Sequence, residues 1–396
     1  MRRREFITLI GGVATAWTNV VRAEQAPIVI GYLSARSAGE SKHLLAAFRE
    51  GLKSEGFVED QNVELRFRWA EGHYDRLPGM AAELVRDNVA VLVTTGGEPS
   101  ALAAKAATST IPIVFTVGGD PVRIGLVASL NRPGGNATGV SLLTTAPEAK
   151  RLGLLHQVVP NAPVIGVLIN PSSPLADDQK QEVRKAGNAV DRRVEIATPA
   201  EEQQLEPAFA SLVERQATAL LVSADPFFDT RRNEIVALAA KYKMPTMYQF
   251  RDYALAGGLM SYGISIADGY RQLGIYAGRV LKGTKPAELP IYQSIKFEFV
   301  INLKTAKAQS VEIPQKAALA RRRSDRVGIS SCCGARVRNW PETDMPMQSP
   351  HVRCWGINGP DPDAVRLPKL TRGGHHVATY RIGCLLSSAQ HSLGQR

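Results

Sequence analysis

Five short loops hold the residue types that could meet a ligand. Gly96-Gly97-Glu98-Pro99-Ser100 follows an apolar run ending in Thr94-Thr95. Its glycines let backbone approach a bound group, Pro99 suits the first turn of a helix, and the free N–H groups of such a turn attract an anion. Lys and Arg are absent from the loop and no Gly-Lys-Ser/Thr follows, so a carboxylate suits it better than a phosphate. A Gly-rich turn that merely starts a helix stays equally open. Gly118-Gly119-Asp120-Pro121 has the same form, with Asp120 placed as a helix N-cap. Asn170-Pro171-Ser172-Ser173, Asp225-Pro226-Phe227-Phe228 and Tyr248-Gln249-Phe250-Arg251 complete the set. Asp225 beside aromatics suits a ligand ammonium next to an apolar group, and it suits a turn before Pro226 equally well.

The same residues argue against an enzyme. The central sequence has only His43, His73 and His156, on or just before expected helices, with no metal-ligand spacing. No G-x-S-x-G elbow occurs, and no glycine fingerprint for a dinucleotide follows the first strand. All four cysteines lie between Cys332 and Cys384, which removes a Cys nucleophile and a disulfide framework from the body. No catalytic residue, metal or cofactor is expected.

Each loop follows a short apolar run and precedes a helical pattern. Ile28–Leu33 is followed by Leu44, Leu45, Phe48 and Leu52 at helical spacing. The unit recurs at 63–69, 89–95 and 113–117, the last followed by an expected helix over 124–130. A second series runs through strands at 164–169, 194–197, 219–222, 244–248 and 259–262, with helices near 178–190, 201–215 and 231–242. Between the series, Asn131-Arg132-Pro133-Gly134-Gly135-Asn136 is a dense turn signal, and the extended stretch after it, 138–142, reads as the first crossing between two lobes. Such alternation predicts α/β lobes with parallel sheets, and ligands of open α/β sheets bind outside the carboxyl ends of the strands. The expected site is the cleft between the lobes.

Charge supports this division. The 396 residues carry 48 Lys+Arg against 37 Asp+Glu, a net +11, yet residues 24–315 hold 31 of each sign. The body is therefore no polyanion binder by composition, and no nucleic-acid partner is expected. The excess sits at the two ends. Arg2-Arg3-Arg4, an uncharged run over 6–21 and Val21-Arg22-Ala23 read as a cleavable export signal over residues 1–23, Tat-like or Sec. The apolar run is too short and Gly-rich to span a bilayer. A soluble protein starting near Glu24 in an envelope compartment is expected.

The loops carry further identity. Gly119-Asp120-Pro121-Val122, Gly125-Leu126-Val127, Ser129-Leu130 and Arg132-Pro133-Gly134-Gly135-Asn136 through Thr138-Gly139-Val140 resemble the ABC-transporter substrate-binding proteins related to tryptophan- and tyrosine-binding proteins. The run from Tyr253 to Gly263, Leu273, Ala277-Gly278 and Val300-Ile301-Asn302-Leu303 match the same family. The resemblance covers residues 1 to about 315 and implies a type I periplasmic binding fold: two Rossmann-like lobes with parallel sheets joined by a three-crossover hinge. It places 24–141 plus about 264–284 in lobe 1, and 142–263 plus about 285–315 in lobe 2. It implies a periplasmic, monomeric receptor that closes on an amino acid, possibly aromatic, or a related carboxylate, and delivers it to an ABC permease and ATPase. By loop position it assigns a ligand carboxylate to Ser34, Thr95, Gly96, Gly97 and Thr116, and second-lobe contacts to Asn170, Asp225, Tyr248 and Tyr262. A sensory domain for a signalling membrane protein and a Rossmann-type enzyme are the other function classes considered.

Residues 316–396 depart from the family pattern. They hold Arg321-Arg322-Arg323, all the cysteines, six prolines and no sustained apolar period. His351, Cys354, His375 and His376 suggest zinc, but no C-x-x-C is present. The expectation is a frame-altered or fused extension, disordered and outside the functional body.

Overall fold

The computed structural model describes residues 27–144 and 147–313, together with the backbone of 377–383. The expected export signal and most of the basic tail lie outside the described residues.

The first lobe contains β1 (Ile28–Ser34), α1 (Lys42–Ser54), β2 (Val63–Trp69), α2 (Leu77–Arg86), β3 (Val91–Thr95), α3 (Glu98–Ala107), β4 (Ile113–Val117) and β5 (Ala137–Ser141). The second follows with α4 (Glu148–Val158), β6 (Val164–Leu168), α5 (Ala176–Ala189), β7 (Arg193–Ala197), α6 (Leu205–Glu214), β8 (Ala219–Val222), α7 (Pro226–Thr230), α8 (Arg232–Lys241), β9 (Thr246–Tyr248), α9 (Arg251–Leu255) and β10 (Met260–Ile264). The chain then returns through α10 (Ile266–Leu281) and β11 (Tyr292–Gln293), and ends its described body with β12 (Lys296–Asn302) and α11 (Leu303–Ala308). β3, β4, β6 and β8 are buried along their whole length, as strands covered on both faces must be.

The first sheet has the order β2-β1-β3-β4-β5-β11 and is parallel throughout. The second runs β7-β6-β8-β9-β10-β12, parallel except for the antiparallel β12. Strand order therefore reverses between β1 and β3 in one lobe and between β6 and β8 in the other. These are the points where the loops diverge to opposite faces and leave a crevice.

Return of the chain to the first lobe is enforced by two glycines. A Cβ on Gly51 of α1 would lie 1.9 Å from the Arg271 carbonyl oxygen, and one on Gly274 of α10 would lie 2.1 Å from that of Phe48. Only glycine lets the two helix backbones meet this closely. The three crossovers are hydrogen-bonded to each other, Ser265 N–H to the Lys296 carbonyl at 2.8 Å and Ser294 N–H to the Ser141 carbonyl at 3.0 Å. Leu143, at the start of the first crossover, takes a left-handed φ of 48°.

Four expectations need correction. The stretch 138–142 is not a crossing but essentially β5, buried along its length and so close to β4 that a Cβ on Gly139 would meet the Phe115 carbonyl oxygen at 2.1 Å. Residues 285–293 belong to the first lobe, because β11 extends its sheet and the Leu289 and Pro290 carbonyls accept from Thr138 and Tyr276. No helix forms over 124–130, where the Leu126 and Val127 N–H groups both turn back to the Pro121 carbonyl and Gly125 has φ 75°. Finally, β13 (Val377–Gly383), from the tail expected to be disordered, pairs antiparallel with β12 at the edge of the second sheet. Its Val-Ala-Thr-Tyr-Arg-Ile stretch has the β-branched and aromatic content of a strand, and β12 offers an open edge. Among the described residues no helix is long and apolar enough to cross a membrane.

Candidate functional site

Both topological switch points open onto one cavity between the lobes. From the first lobe come Arg36, two residues past the end of β1, and Gly97 and Glu98 past the end of β3. From the second come Ser173 and Leu175 after β6, and Asp225 and Asp229 after β8, with Phe250 after β9. The space these residues leave is about 30 Å³, far under the ~300–1,000 Å³ of small-molecule sites and enough for only about one or two waters. A bound solute must hold the lobes further apart than they stand here.

Asp225 is the N-cap of α7: its Oδ1 accepts from the Phe227 N–H at 2.9 Å, and Pro226 fills the first helical position. The same oxygen accepts from Asn170 Nδ2 at 2.8 Å and from the Tyr74 hydroxyl, which reaches across from the first lobe, at 2.6 Å. Its Oδ2 is buried, and the Ser173 hydroxyl faces the same carboxylate. Burial pushes the Asp225 carboxyl up to about 6, against the pull of Asn170 and Tyr74. One side chain thus caps the turn and lines the cavity.

Asp229 lies one helical turn on, so α7 presents both carboxylates on one face. It pairs with Arg36 at 2.5 Å and accepts from Gln249 Nε2 at 2.7 Å and the Tyr253 hydroxyl at 3.1 Å. Arg36 is set by its own turn, in which its N–H donates to the Ser34 hydroxyl at 3.1 Å, and its guanidinium lies 5.8 Å from the centre of the Phe250 ring. Burial disfavours the Arg36 charge, but Asp229 more than offsets this and the guanidinium is held above its ordinary value.

Glu98 occupies the place where a ligand carboxylate was expected. Its Oε1 accepts from the Gly118 N–H at 2.7 Å and the Gly119 N–H at 2.6 Å, at the N-terminal end of α3. Those two donors make an anion-binding concavity filled by the protein's own carboxylate. Burial raises the Glu98 carboxyl and the backbone donors lower it, with a net rise.

The other residues singled out in the sequence separate into three groups. Gly97 lines the cavity, facing Pro226 across the cleft, and Asn170 supports it by holding Asp225. Ser34, Thr95, Gly96 and Thr116 end strands on the cleft side but do not line the cavity. Thr95 lies beside the hydroxyls of Tyr32 and Tyr270, and a Cβ on Gly96, at φ 77°, would lie 2.9 Å from the Ala35 nitrogen. Tyr248 and Tyr262 are elsewhere: Tyr248 stacks on Tyr253 at 4.6 Å inside the second lobe, and Tyr262 stacks on Phe297 at 5.6 Å on the β10–β12 face. Alternation along a strand turned both rings away from the cleft.

Arg36, Glu98, Asp229, Phe250 and Tyr74 were not singled out. Arg36 and Phe250 follow strand ends directly, so the strand-end rule reaches them. Glu98 and Asp229 depend on partners far along the chain. A buried ion pair was also missed: Glu148 and Arg151, both fully buried and 3.3 Å apart, stand behind the site. Arg151 Nε donates to the Tyr262 carbonyl at 2.7 Å, and Glu148 accepts from the Ala224 N–H at 3.4 Å, next to Asp225.

The lobes are closed on each other. Besides Tyr74–Asp225 and Arg36–Asp229, the rim carries Glu40–Arg232, Arg123–Asp178 and His43–Asp252, each joining one lobe to the other. Among the described residues no histidine lines the cavity and no group of three His, Cys, Asp or Glu could hold a metal.

Known proteins share this architecture. Residues 40–322 match the family described as ABC transporter substrate binding protein. A tyrosine-binding protein of Clostridioides difficile is 30% identical over 272 residues, covering 67% of this chain and 76% of that protein. Among solved structures, a conserved domain protein from Vibrio cholerae superposes with a TM-score of 0.68 at 26% identity over 75% of this chain and 98% of its own. An ABC domain from Streptococcus pneumonia in complex with L-Trp superposes with a TM-score of 0.66 at 26% identity over 74% and 98%.

Proposed function

The chain belongs to the ABC transporter substrate binding protein family, and from that premise we propose that it is the periplasmic receptor of an ABC importer. It holds an amphipathic amino acid, aromatic in preference, between the lobes and passes it to the permease and ATPase at the inner membrane. The observation that carries this reading is the cavity where the two topological switch points meet. There buried Asp225 and Asp229 face Arg36 across the cleft, with Leu142, Leu175 and Phe250 completing the wall. Charged groups of both signs beside an apolar wall suit a zwitterion with a hydrophobic side chain. The L-Trp held by one relative and the tyrosine in the name of another point to the same ligand class.

Hinge closure follows from the crossovers. Their hydrogen bonds fix the axis, while the rim pairs and Tyr74–Asp225 form only when the lobes meet. Export by the N-terminal signal and a monomeric receptor complete the proposal. A thermal-shift screen of the mature chain against the common amino acids tests it, since a ligand that binds the closed state raises the melting temperature by mass action. Stabilisation by tyrosine, tryptophan or phenylalanine is expected, and a flat response across the set would contradict the reading.

A further inference from the structure

We infer that the buried Glu148–Arg151 pair positions the ligand-facing loops of the second lobe relative to the hinge, and that binding, not stability, is what the pair serves. The inference rests on the receptor reading proposed above and names two positioning residues for that same site.

The pair sits where the hinge meets the site. Glu148 and Arg151 lie in α4, the first element of the second lobe after the first crossover, and both side chains are completely buried with their charges 3.3 Å apart. On one side, Arg151 Nε donates at 2.7 Å to the carbonyl of Tyr262, in β10 and just before the second crossover at Ser265. The backbone there is pressed against the loop after β9: a Cβ on Gly263 would lie 1.9 Å from the Gln249 carbonyl oxygen and 3.7 Å from Arg151 Nη2. Gln249 in turn donates to Asp229 at 2.7 Å. On the other side, Glu148 accepts from the Ala224 N–H at 3.4 Å, and the completely buried Gln179 donates to the Ala224 carbonyl at 2.8 Å. Both backbone groups of the residue preceding Asp225 are thus held. From one turn of helix the pair reaches Asp225 through Ala224, and Asp229 through Gly263 and Gln249.

Stability does not account for these charges. Burial holds the Arg151 guanidinium below its ordinary value and the Glu148 carboxyl above, so each charge is costly to keep. Arg151 Nη2 and Glu148 Oε2 make no hydrogen bond, which leaves part of that cost without compensation, and apolar side chains of similar size often replace such a pair without loss of stability. What apolar side chains cannot do is grip a carbonyl beside a crossover and an N–H beside the site at once. Binding groups must be held within about 0.5 Å of their productive geometry, and α4 carries the loops of Asp225 and Asp229 with it as the hinge turns.

The test compares the mature full-length chain with Glu148→Leu/Arg151→Met by isothermal titration against L-tryptophan, L-tyrosine and the other common amino acids, alongside denaturant unfolding. Expected for the double variant is a midpoint close to the parent's together with a Kd at least about tenfold weaker, as when the binding-competent arrangement falls to a tenth of its population. Arg151→Lys keeps a charge beside Glu148 but has one head group for two partners, and it decides the matter if the double variant does not fold, with a Kd at least about threefold weaker. Parent-like affinity in the folded double variant, or in Arg151→Lys where the double variant fails to fold, overturns the inference and leaves the receptor reading standing. Silence of the parent chain toward every amino acid overturns the receptor reading, and the inference with it.

Discussion

Substitution of Asp225 by Asn separates the function of this carboxylate from its structural work. Asn keeps an oxygen that can cap the Phe227 N–H and accept from Tyr74 and Asn170, and its amide N–H groups take the place of Oδ2, where the Ser173 hydroxyl can turn to accept one of them. The charge is lost, and the second amide N–H offsets part of what that gains. In the ligand-free protein the Asp225 carboxyl is pushed from 3.8 up to about 6 by burial. A folded-state value above the unfolded one means that the folded protein binds the proton more tightly. The penalty is therefore absent below about pH 4, grows as pH rises through the window up to about 6, and is complete above it. A rise of about two units corresponds to about 3 kcal/mol at pH 7.

Asp225→Asn should remove this penalty, so the ligand-free variant melts several degrees above the parent at pH 7 and the two converge near pH 4. Binding moves the opposite way. The parent's affinity for a cationic ligand weakens as pH falls below about 6, where the carboxyl protonates and binding must expel the proton; the variant binds weakly at every pH. The assay is thermal melting of both proteins from pH 4 to 8, with and without ligand. A variant that melts below the parent at pH 7, or that keeps full affinity, would refute the reasoning.

The rim pairs Arg123–Asp178 and His43–Asp252 are partly exposed, so each contributes only about 0.2–1 kcal/mol and is screened by salt. Raising the ionic strength of the ligand-free protein should shift it toward the open form, seen as a larger radius of gyration in small-angle scattering; an unchanged radius would contradict a clasp. Gly274→Ala forces a methyl to within 2.1 Å of the Phe48 carbonyl oxygen and should destabilise the protein by about 1–3 kcal/mol, read as a lower denaturant midpoint. Glu148→Leu should destabilise it by about 3–5 kcal/mol by stranding Arg151, with most of the loss recovered when Arg151→Met is added. Truncation after residue 315 removes none of the described residues that line the cavity, so ligand affinity should not change on titration.

The architecture was legible because its signals are local. A parallel strand buried on both faces reads as an apolar run, and Ser, Gly or Pro before a periodic segment marks where the helix begins, so the loops after β3, β6 and β8 could be placed from sequence. The strand-end rule led to Asp225 and Gly97, which line the interlobe cavity, and to Asn170, which holds Asp225, for that reason. It misplaced Tyr248 and Tyr262 because a one-residue step along a strand decides between cleft and core, and the step is set by partners such as Tyr253 and Phe297. Glu98 looked like an ordinary first-turn acid; what makes it part of the site is the pair of N–H groups twenty and twenty-one residues later. Asp229 sits on a five-residue helix too short to show a period. Arg151 and Glu148, three residues apart, have the spacing of a surface pair, and nothing local reveals that both are buried.

The central claim is that the chain binds an amphipathic amino acid and releases it unchanged. Native mass spectrometry of the mature protein with tryptophan and tyrosine tests this most directly. The account predicts a one-to-one adduct whose ligand is recovered with its mass unaltered. Absence of any adduct, or recovery of a chemically converted product, would contradict it.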